Sequence, residues 1–295
     1  MKIGVMVPYL VATTRDPALA WIAGVDDGPF DSISVGDRVT FHNMDQIVML
    51  AAAAALTTRV RLYTHIVVAP MHPPALLAKR LASIDVISGG RLTVSVGTGG
   101  REDDYRAANV AMTRVFQSQD ACVLEMKRLW SGQPPFPGAD PVGPTPAQLG
   151  GPPIYTSARG PKSVARAVKW ADGFTGAALS GLPADMAAEA EGFLKLWEAA
   201  GGDRKPHMGT SMFFALGDDA VGRMRSVTQR YFTVGDNAPP PGFVDSMLSQ
   251  VTDADAVRRA LDGAALAGYD ELTFIATTDD IADLDRLADI ASAWS

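Results

Sequence analysis

Short apolar runs rich in Val, Ile and Phe recur along the chain, and most are followed by stretches in which apolar side chains return about every three to four positions. The runs predict strands near 2–7, 32–36, 61–69, 91–97, 154–158, 173–177, 208–216 and 271–277. Between them the longer period predicts helices that include 44–56, 74–87, 117–130, 161–170, 184–200, 218–228 and 253–267. Strands alternating with helices imply parallel βαβ units joined by right-handed crossovers. An open doubly wound sheet would give the same alternation. No glycine-rich fingerprint follows the first strand, however, which runs Lys2-Ile3-Gly4-Val5-Met6-Val7 and stops at Pro8. The pattern therefore predicts an α/β fold, a (β/α)8 TIM barrel in one domain over residues 1–295, a length typical of that architecture.

Two segments interrupt the alternation. Residues 131–153 contain Gln133-Pro134-Pro135-Phe136-Pro137-Gly138, and residues 234–242 contain Pro239-Pro240-Pro241. Proline blocks both helix and ladder, so both are loops. Long loops in a compact fold commonly cover binding sites, which predicts loop insertions at the carboxyl-end face of the barrel.

Composition narrows the function. Hydrophobic residues at 47% and charged residues at 20% exclude extensive disorder. A net charge of −7 without a basic run excludes nucleic acid as a partner, because a phosphate backbone is bound through clustered Lys and Arg. Cys122 is the one cysteine, so no internal disulfide forms, and its helical context reads as core packing. No window approaches the roughly 18 apolar residues of a membrane span, and the N-terminus lacks the pattern of a signal peptide. A cytoplasmic protein without a membrane partner is expected. His42, His65, His72 and His207 show no metal-ligand spacing, so no metal is expected either.

In a barrel of this kind the active site lies at the carboxyl ends of the strands. That rule selects Tyr9, Asp37, Arg38, the stretch 65–71, and Thr98 to Arg101. The segment Tyr155-Thr156-Ser157-Ala158-Arg159-Gly160-Pro161-Lys162-Ser163 runs from strand through a turn of small residues into a helix. Exposed amides at the helix start, with Arg159 and Lys162, suit a phosphate-bearing ligand; a plain βα turn with solvated basic side chains is the alternative. Gly97-Thr98-Gly99-Gly100 either lets a ligand approach the backbone or makes a tight turn. His65 lies inside an apolar strand and reads either as a satisfied core histidine or as a ligand-facing one. The acidic run Glu102-Asp103-Asp104 offers an acid or base; Asp103 and Asp104 read as a solvated helix start.

Taken in series, several stretches resemble the bacterial luciferase-like monooxygenases. They are Phe30-Asp31-Ser32-Ile33-Ser34-Val35-Gly36-Asp37-Arg38, the block 59–100 with Asp85-Val86-Ile87-Ser88-Gly89-Gly90-Arg91-Leu92, Leu129-Trp130-Ser131-Gly132, the strand 152–158, Ala171-Asp172-Gly173-Phe174, and Ala267-Gly268-Tyr269-Asp270-Glu271-Leu272. The resemblance implies a flavin- or deazaflavin-dependent oxidoreductase or monooxygenase, with FMN or coenzyme F420 as cofactor, a small-molecule substrate and, often in that family, a homodimer. It implies phosphate binding at Ala158, Arg159 and Gly160, ring contacts at Gly97 and Thr98, and a supporting bulge with a cis peptide at His65-Ile66. Two positions depart from the family pattern. Arg38 stands where luciferases and sugar-phosphate enzymes carry histidine, and Gly100 where the latter carry glutamate. Arg38 is therefore expected to hold an anionic or carbonyl oxygen, with Glu102 and Tyr105 as candidates for proton transfer. A flavin-binding barrel without turnover and a cofactor-free phosphosugar aldolase or isomerase remain as alternatives.

Overall fold

The structure, a computed structural model, describes residues 1–11, 14–233, 240 and 242–294. The first half of the chain runs β1 (Lys2–Met6), α1 (Arg15–Asp27), β2 (Ser32–Val35), α2 (Gln46–Leu56), β3 (Arg61–Val68), α3 (Pro74–Ile87), β4 (Leu92–Gly97), α4 (Glu102–Ala107) and α5 (Val115–Trp130). The second half runs β5 (Ile154–Thr156), α6 (Pro161–Ala167), β6 (Gly173–Thr175), α7 (Pro183–Ala199), β7 (His207–Phe214), α8 (Ala220–Phe232), α9 (Phe243–Met247), α10 (Ala254–Leu266), β8 (Glu271–Ala276) and α11 (Ile281–Trp294). The strands pair in sequence order and close into a parallel barrel, with β1 lying against β8 from Lys2↔Glu271 to Met6↔Ile275. All eight expected strands form, within a few residues of the expected bounds. The pattern reading did not single out α1 and α11, which pack against each other beside the β1–β8 seam.

Local chemistry sets several element ends. Asp45 caps α2 by accepting from Val48 N–H (2.9 Å), and Asp253 caps α10 by accepting from Ala256 N–H (2.7 Å). Proline opens α3, α6 and α7, where its missing N–H costs nothing. The core is built from buried Trp21, Phe30, Phe174, Phe213, Phe214 and Phe274, together with the branched side chains of the strands.

The amino end of the barrel is held by a repeated device. Asp31, Asp172 and Asp270 each immediately precede an even-numbered strand. Each carboxylate accepts the backbone N–H of a residue in the preceding strand: Ile3 (2.8 Å), Ile154 (2.9 Å) and Met208 (2.8 Å). The same aspartates donate their own N–H to the carbonyls of those three residues, so each clip is a closed ring. At the β3–β4 pair an arginine takes the equivalent place. Arg91 donates to the carbonyls of Ser88 (2.7 Å), Val60 (2.6 Å), Ala54 (3.2 Å) and Thr57 (2.7 Å), and to Thr57 Oγ1 (2.8 Å). It thereby satisfies the orphan carbonyls at the end of α2. Arg91→Met is expected to lower stability by roughly 3 kcal/mol, since hydrogen bonds to charged groups contribute about 1.5–3 kcal/mol and this side chain makes several at once. A shifted urea midpoint at unchanged slope checks it.

The first proline-rich segment lies on the face opposite to the expected one. Residues 131–153 join α5 to β5, so they lie at the amino end, not over the mouth. Gln148 fixes this loop there: its amides donate to both carboxylate oxygens of buried Asp85 (3.0 and 2.7 Å) and to Leu92 O at the start of β4 (2.7 Å). Connectivity overrides the expectation here, because a helix-to-strand connection in a parallel barrel always returns to the amino end. The carboxyl-end insertion is the long β7–α10 connection carrying α8 and α9. Segment 234–242 belongs to that connection but lies outside the described residues except for positions 240 and 242.

Candidate functional site

A cavity of about 260 Å³ opens at the carboxyl ends of the strands. Met6 and Tyr9 reach it from β1, His65 and Ile66 from β3, Ser157 from β5, and Ser211 and Phe213 from β7. Tyr231 and Phe232, at the end of α8, add an aromatic wall. The floor follows from an irregularity in β3: the β3–β4 register shifts between Thr64 and Val67, and the His65–Ile66 peptide is cis. The register shift turns two consecutive side chains of one strand toward a single cavity.

His65 Nε2 lies 3.2 Å from Ser211 Oγ, which itself donates to Gly176 O at 3.1 Å. Since the hydroxyl proton is committed to Gly176, Ser211 accepts from His65, and the imidazole carries its proton on Nε2. Burial lowers the His65 pKa from its ordinary 6.5 to about 4. Between those values the unfolded chain takes up a proton that the folded chain refuses. Stability is therefore lost as pH falls from about 6.5 to about 4, by about 3 kcal/mol in total. His65→Asn is expected to shrink the drop in stability between pH 7 and pH 4 by about that amount, measured by urea titration at both pH values. An unchanged drop contradicts a neutral buried imidazole.

Gly97, at the end of β4, has no room for a side chain. A Cβ there would overlap Ile66 Cδ1 and Ser157 Oγ. The glycine thus makes space for the β3 bulge, and it is Ile66 that faces the cavity. Thr98 follows, its carbonyl accepting from Tyr105 Oη at 2.5 Å. Tyr105 is buried with Val68 and Met71, and desolvation pushes its phenol up to about 12.

Arg38 follows β2 and has 10% of its side chain exposed. Its Nε donates to Asp104 Oδ2 at 2.7 Å, while Asp104 Oδ1 accepts from Thr40 N–H (2.6 Å) and Thr40 Oγ1 (2.5 Å). The Arg38 and Thr40 contacts hold the Asp104 carboxyl below the usual range against the upward push of burial. Asp104 is 4% exposed, so it is no solvated helix-start residue; the expectation fails because Arg38, 66 positions away, comes back to meet it. Arg38 Nη1 is buried without a partner among the described residues, and the guanidinium lies over the Phe41 ring at 4.9 Å. Arg38 and Arg101 line both a small cavity of about 80 Å³, shared with Tyr105, and a larger one of about 410 Å³. Glu102 is exposed and lines none of these cavities.

On the opposite side, the β5–α6 turn uses part of its own hydrogen-bonding capacity. Ala158 N–H donates to Thr156 Oγ1 (3.1 Å) and Gly160 N–H to Ser163 Oγ (3.1 Å), so the turn is less open than its sequence suggests. Arg159 reaches Ala177 O (3.4 Å) and pairs with Glu189 (2.9 Å), and Lys162 is exposed. Arg159, Ala177 and Leu179 line both the central cavity and a neighbouring one of about 370 Å³. Glu189 is the organising group: it also accepts from Ala177 N–H (2.9 Å), Thr210 Oγ1 (2.8 Å) and Tyr269 Oη (2.9 Å). Sequence reasoning missed Glu189, Ser211 and the Tyr231–Phe232 wall. Only the last left a signal, an aromatic pair ending a helix that is otherwise polar.

The family model for luciferase-like monooxygenases matches residues 1–293. The chain belongs to this family. A curated relative, pyrimidine monooxygenase RutA of Escherichia coli, is 29% identical over 165 residues. That match covers 47% of this chain and 45% of the relative, so the chain aligns with about half the relative's length. Among solved structures, an F420-dependent secondary alcohol dehydrogenase in complex with an F420-acetone adduct superposes with a TM-score of 0.77 at 19% identity, covering 100% of this chain and 99% of that one. Monooxygenase RslO1 from Streptomyces bottropensis gives a TM-score of 0.74 at 20% identity, covering 99% and 98%. The FMN-bound oxygenating constituent of 3,6-diketocamphane monooxygenase from Pseudomonas putida gives 0.72 at 15%, covering 99% and 96%. These structural likenesses show the barrel fold.

Proposed function

We propose that this luciferase-like chain, as one barrel domain over 1–295, is a flavin- or deazaflavin-dependent oxidoreductase acting on a small organic substrate by hydride or oxygen transfer. The observation that carries the reading is the continuity of the central cavity with the turn at Arg159. One end is apolar and aromatic, between Ile66, Phe213 and Phe232, as a flat tricyclic ring requires; the other reaches the cationic Arg159. Together with the adjoining cavity the space falls within the range of small-molecule sites, roughly 300–1,000 Å³. FMN and coenzyme F420 both combine such a ring with an anionic tail. The names of the similar proteins, which include a monooxygenase, an F420-dependent dehydrogenase and an FMN complex, support the same pair of cofactors.

When bound, the reduced ring supplies the hydride or the electrons that oxygen chemistry consumes. The chain does the rest. Ile66 and Gly97–Thr98 support the ring face, with neutral His65 keeping Ser211 and Gly176 in register behind it. Ser157, Ala158, Arg159 and Gly160 hold the phosphate, and Lys162 adds positive charge at the rim. Phe213, Tyr231 and Phe232 keep water from the reacting face. Arg38 orients a substrate oxygen through its unpartnered Nη1. Tyr105 keeps its proton at neutral pH and positions Thr98 through the carbonyl it bonds. Glu102 stands outside the described cavities, so proton exchange at that residue would run through solvent. A phosphosugar aldolase is disfavoured because no lysine that could form a Schiff base lines the described cavities, and Lys79 lies within α3 and bonds Gly143 O of the amino-end loop. A cytoplasmic homodimer completes the family-based reading.

The test is titration of the purified chain with FMN and with coenzyme F420, followed by absorbance and by the mass of any co-purifying chromophore. Saturable one-to-one binding of either supports the reading. Binding of neither refutes it, and tight binding without turnover across reduced-cofactor assays favours a non-catalytic flavin carrier.

A further inference from the structure

The 410 Å³ chamber beside the central cavity has a chemistry of its own. Among its lining residues are Arg38, Arg101 and Arg106, together with Thr40 and the ring of Phe41. It adjoins the 80 Å³ cavity through Arg38 and Arg101, and that cavity shares Tyr231 with the central one. In a chain of net charge −7, three arginines on one side of the barrel mouth are a local reversal of the background. Asp104 pairs with Arg38, and Asp103 lies 3.7 Å from Arg106. Among the described residues, these two carboxylates against three guanidinium groups leave one positive charge in surplus around the chamber, while Asp37 of the adjoining 80 Å³ cavity faces Val68 N–H and His72. The decisive group is Arg38: its side chain is nine-tenths buried, and Nη1 has no partner among the described residues. An arginine donor buried without an acceptor is costly unless a ligand supplies one.

We infer that this chamber receives the acidic group of the substrate, and that the substrate is a small monoanion, a carboxylate or comparably acidic oxygen, with an apolar body. Arg38 offers a directed donor, Arg101 the second cation, and Phe41 a flat apolar surface already stacked under Arg38. Arg101 is held in place by its bond to Tyr231 O and by the Tyr231 ring beneath it at 4.9 Å. Tyr231, at the carboxyl end of α8, thus anchors Arg101 and lines both the 80 Å³ cavity and the central one. The inference deepens the proposed oxidoreductase function, since it names the substrate class of that site.

The test is isothermal titration of the 295-residue, cofactor-free chain with benzoate against benzamide and hexanoate against hexanamide. At least one acid is expected to bind ten times or more tightly than its amide. The preference is expected to fall below threefold in Arg101→Met and in Arg38→Met/Asp104→Asn; the double variant avoids leaving the Asp104 carboxylate buried without its cation. Equal binding of acid and amide in both pairs overturns the inference, as does a preference that survives in the variants. The other source of an oxyanion is the cofactor phosphate, so FMN is compared with riboflavin in the same proteins. If the double variant erases the advantage of FMN over riboflavin, the chamber serves the cofactor and the substrate assignment falls. Failure of the unaltered chain to bind FMN or coenzyme F420 strikes the proposed function alone, because the acid–amide comparison needs no cofactor.

Discussion

Gly160→Glu is expected to weaken FMN binding by about a hundredfold or more while leaving the fold intact. The Gly160 φ of −98° is open to any residue, and a Cβ there meets only Ser163 Oγ at 3.6 Å, so the side chain itself is tolerated. What changes is charge: a carboxylate is set beside the place assigned to the phosphate, at the N-cap of α6. Repulsion at close range and loss of the tail's contacts together reach roughly 3 kcal/mol, and each 1.4 kcal/mol is a factor of ten in affinity. Gly160→Gln separates the two causes, since it adds bulk without charge and should retain most of the affinity. Riboflavin, which lacks the phosphate, should bind Gly160→Glu about as well as the unaltered chain. Unchanged FMN affinity in Gly160→Glu removes the phosphate from this turn.

Glu189→Ala carries the largest expected cost in stability, about 3–5 kcal/mol. The carboxylate is 10% exposed and meets four donors: Arg159, Ala177 N–H, Thr210 Oγ1 and Tyr269 Oη. Removing it leaves a backbone amide and two hydroxyls to find other partners inside the barrel wall, and deletes one member of a partly buried ion pair. Burial, the largest cause of the raised Tyr269 phenol, persists when the Glu189 charge is gone, so Tyr269 does not ionise in compensation. Glu189→Gln keeps the shape and one acceptor and should recover part of the loss. Chemical denaturation measures both. An alanine variant within 1 kcal/mol of the unaltered chain would mean that solvent fills the site without cost.

The barrel itself was legible because closed parallel sheets write short, near-continuous apolar runs into the sequence, and all eight runs became strands. Side chains that act across the barrel were not. Glu189 looks like any acidic residue of a helix, and its role arises only when β6, β7 and β8 bring their donors around it. Asp104 was misread for the same reason: its cation sits 66 residues earlier, at the end of β2. The side of the 131–153 loop was recoverable from connectivity alone, since it leads from a helix into a strand. Arg38 was legible as a strand-end cation, but nothing in the sequence says that one of its nitrogens lacks a partner.

Most of the stretches that make the family recognisable turn out to be fasteners. Phe30-Asp31-Ser32, Ala171-Asp172-Gly173 and Tyr269-Asp270-Glu271 contain the three carboxylate clips, and Ser88-Gly89-Gly90-Arg91 contains their arginine counterpart. Each aspartate clip closes within a single pair of neighbouring strands and touches nothing at the mouth. The thermodynamics of shutting the cylinder is thereby decoupled from whatever the rim is asked to convert. Rim loops can be exchanged, lengthened or recharged without loosening the base, so one scaffold can migrate between chemistries while its signature letters stay the same.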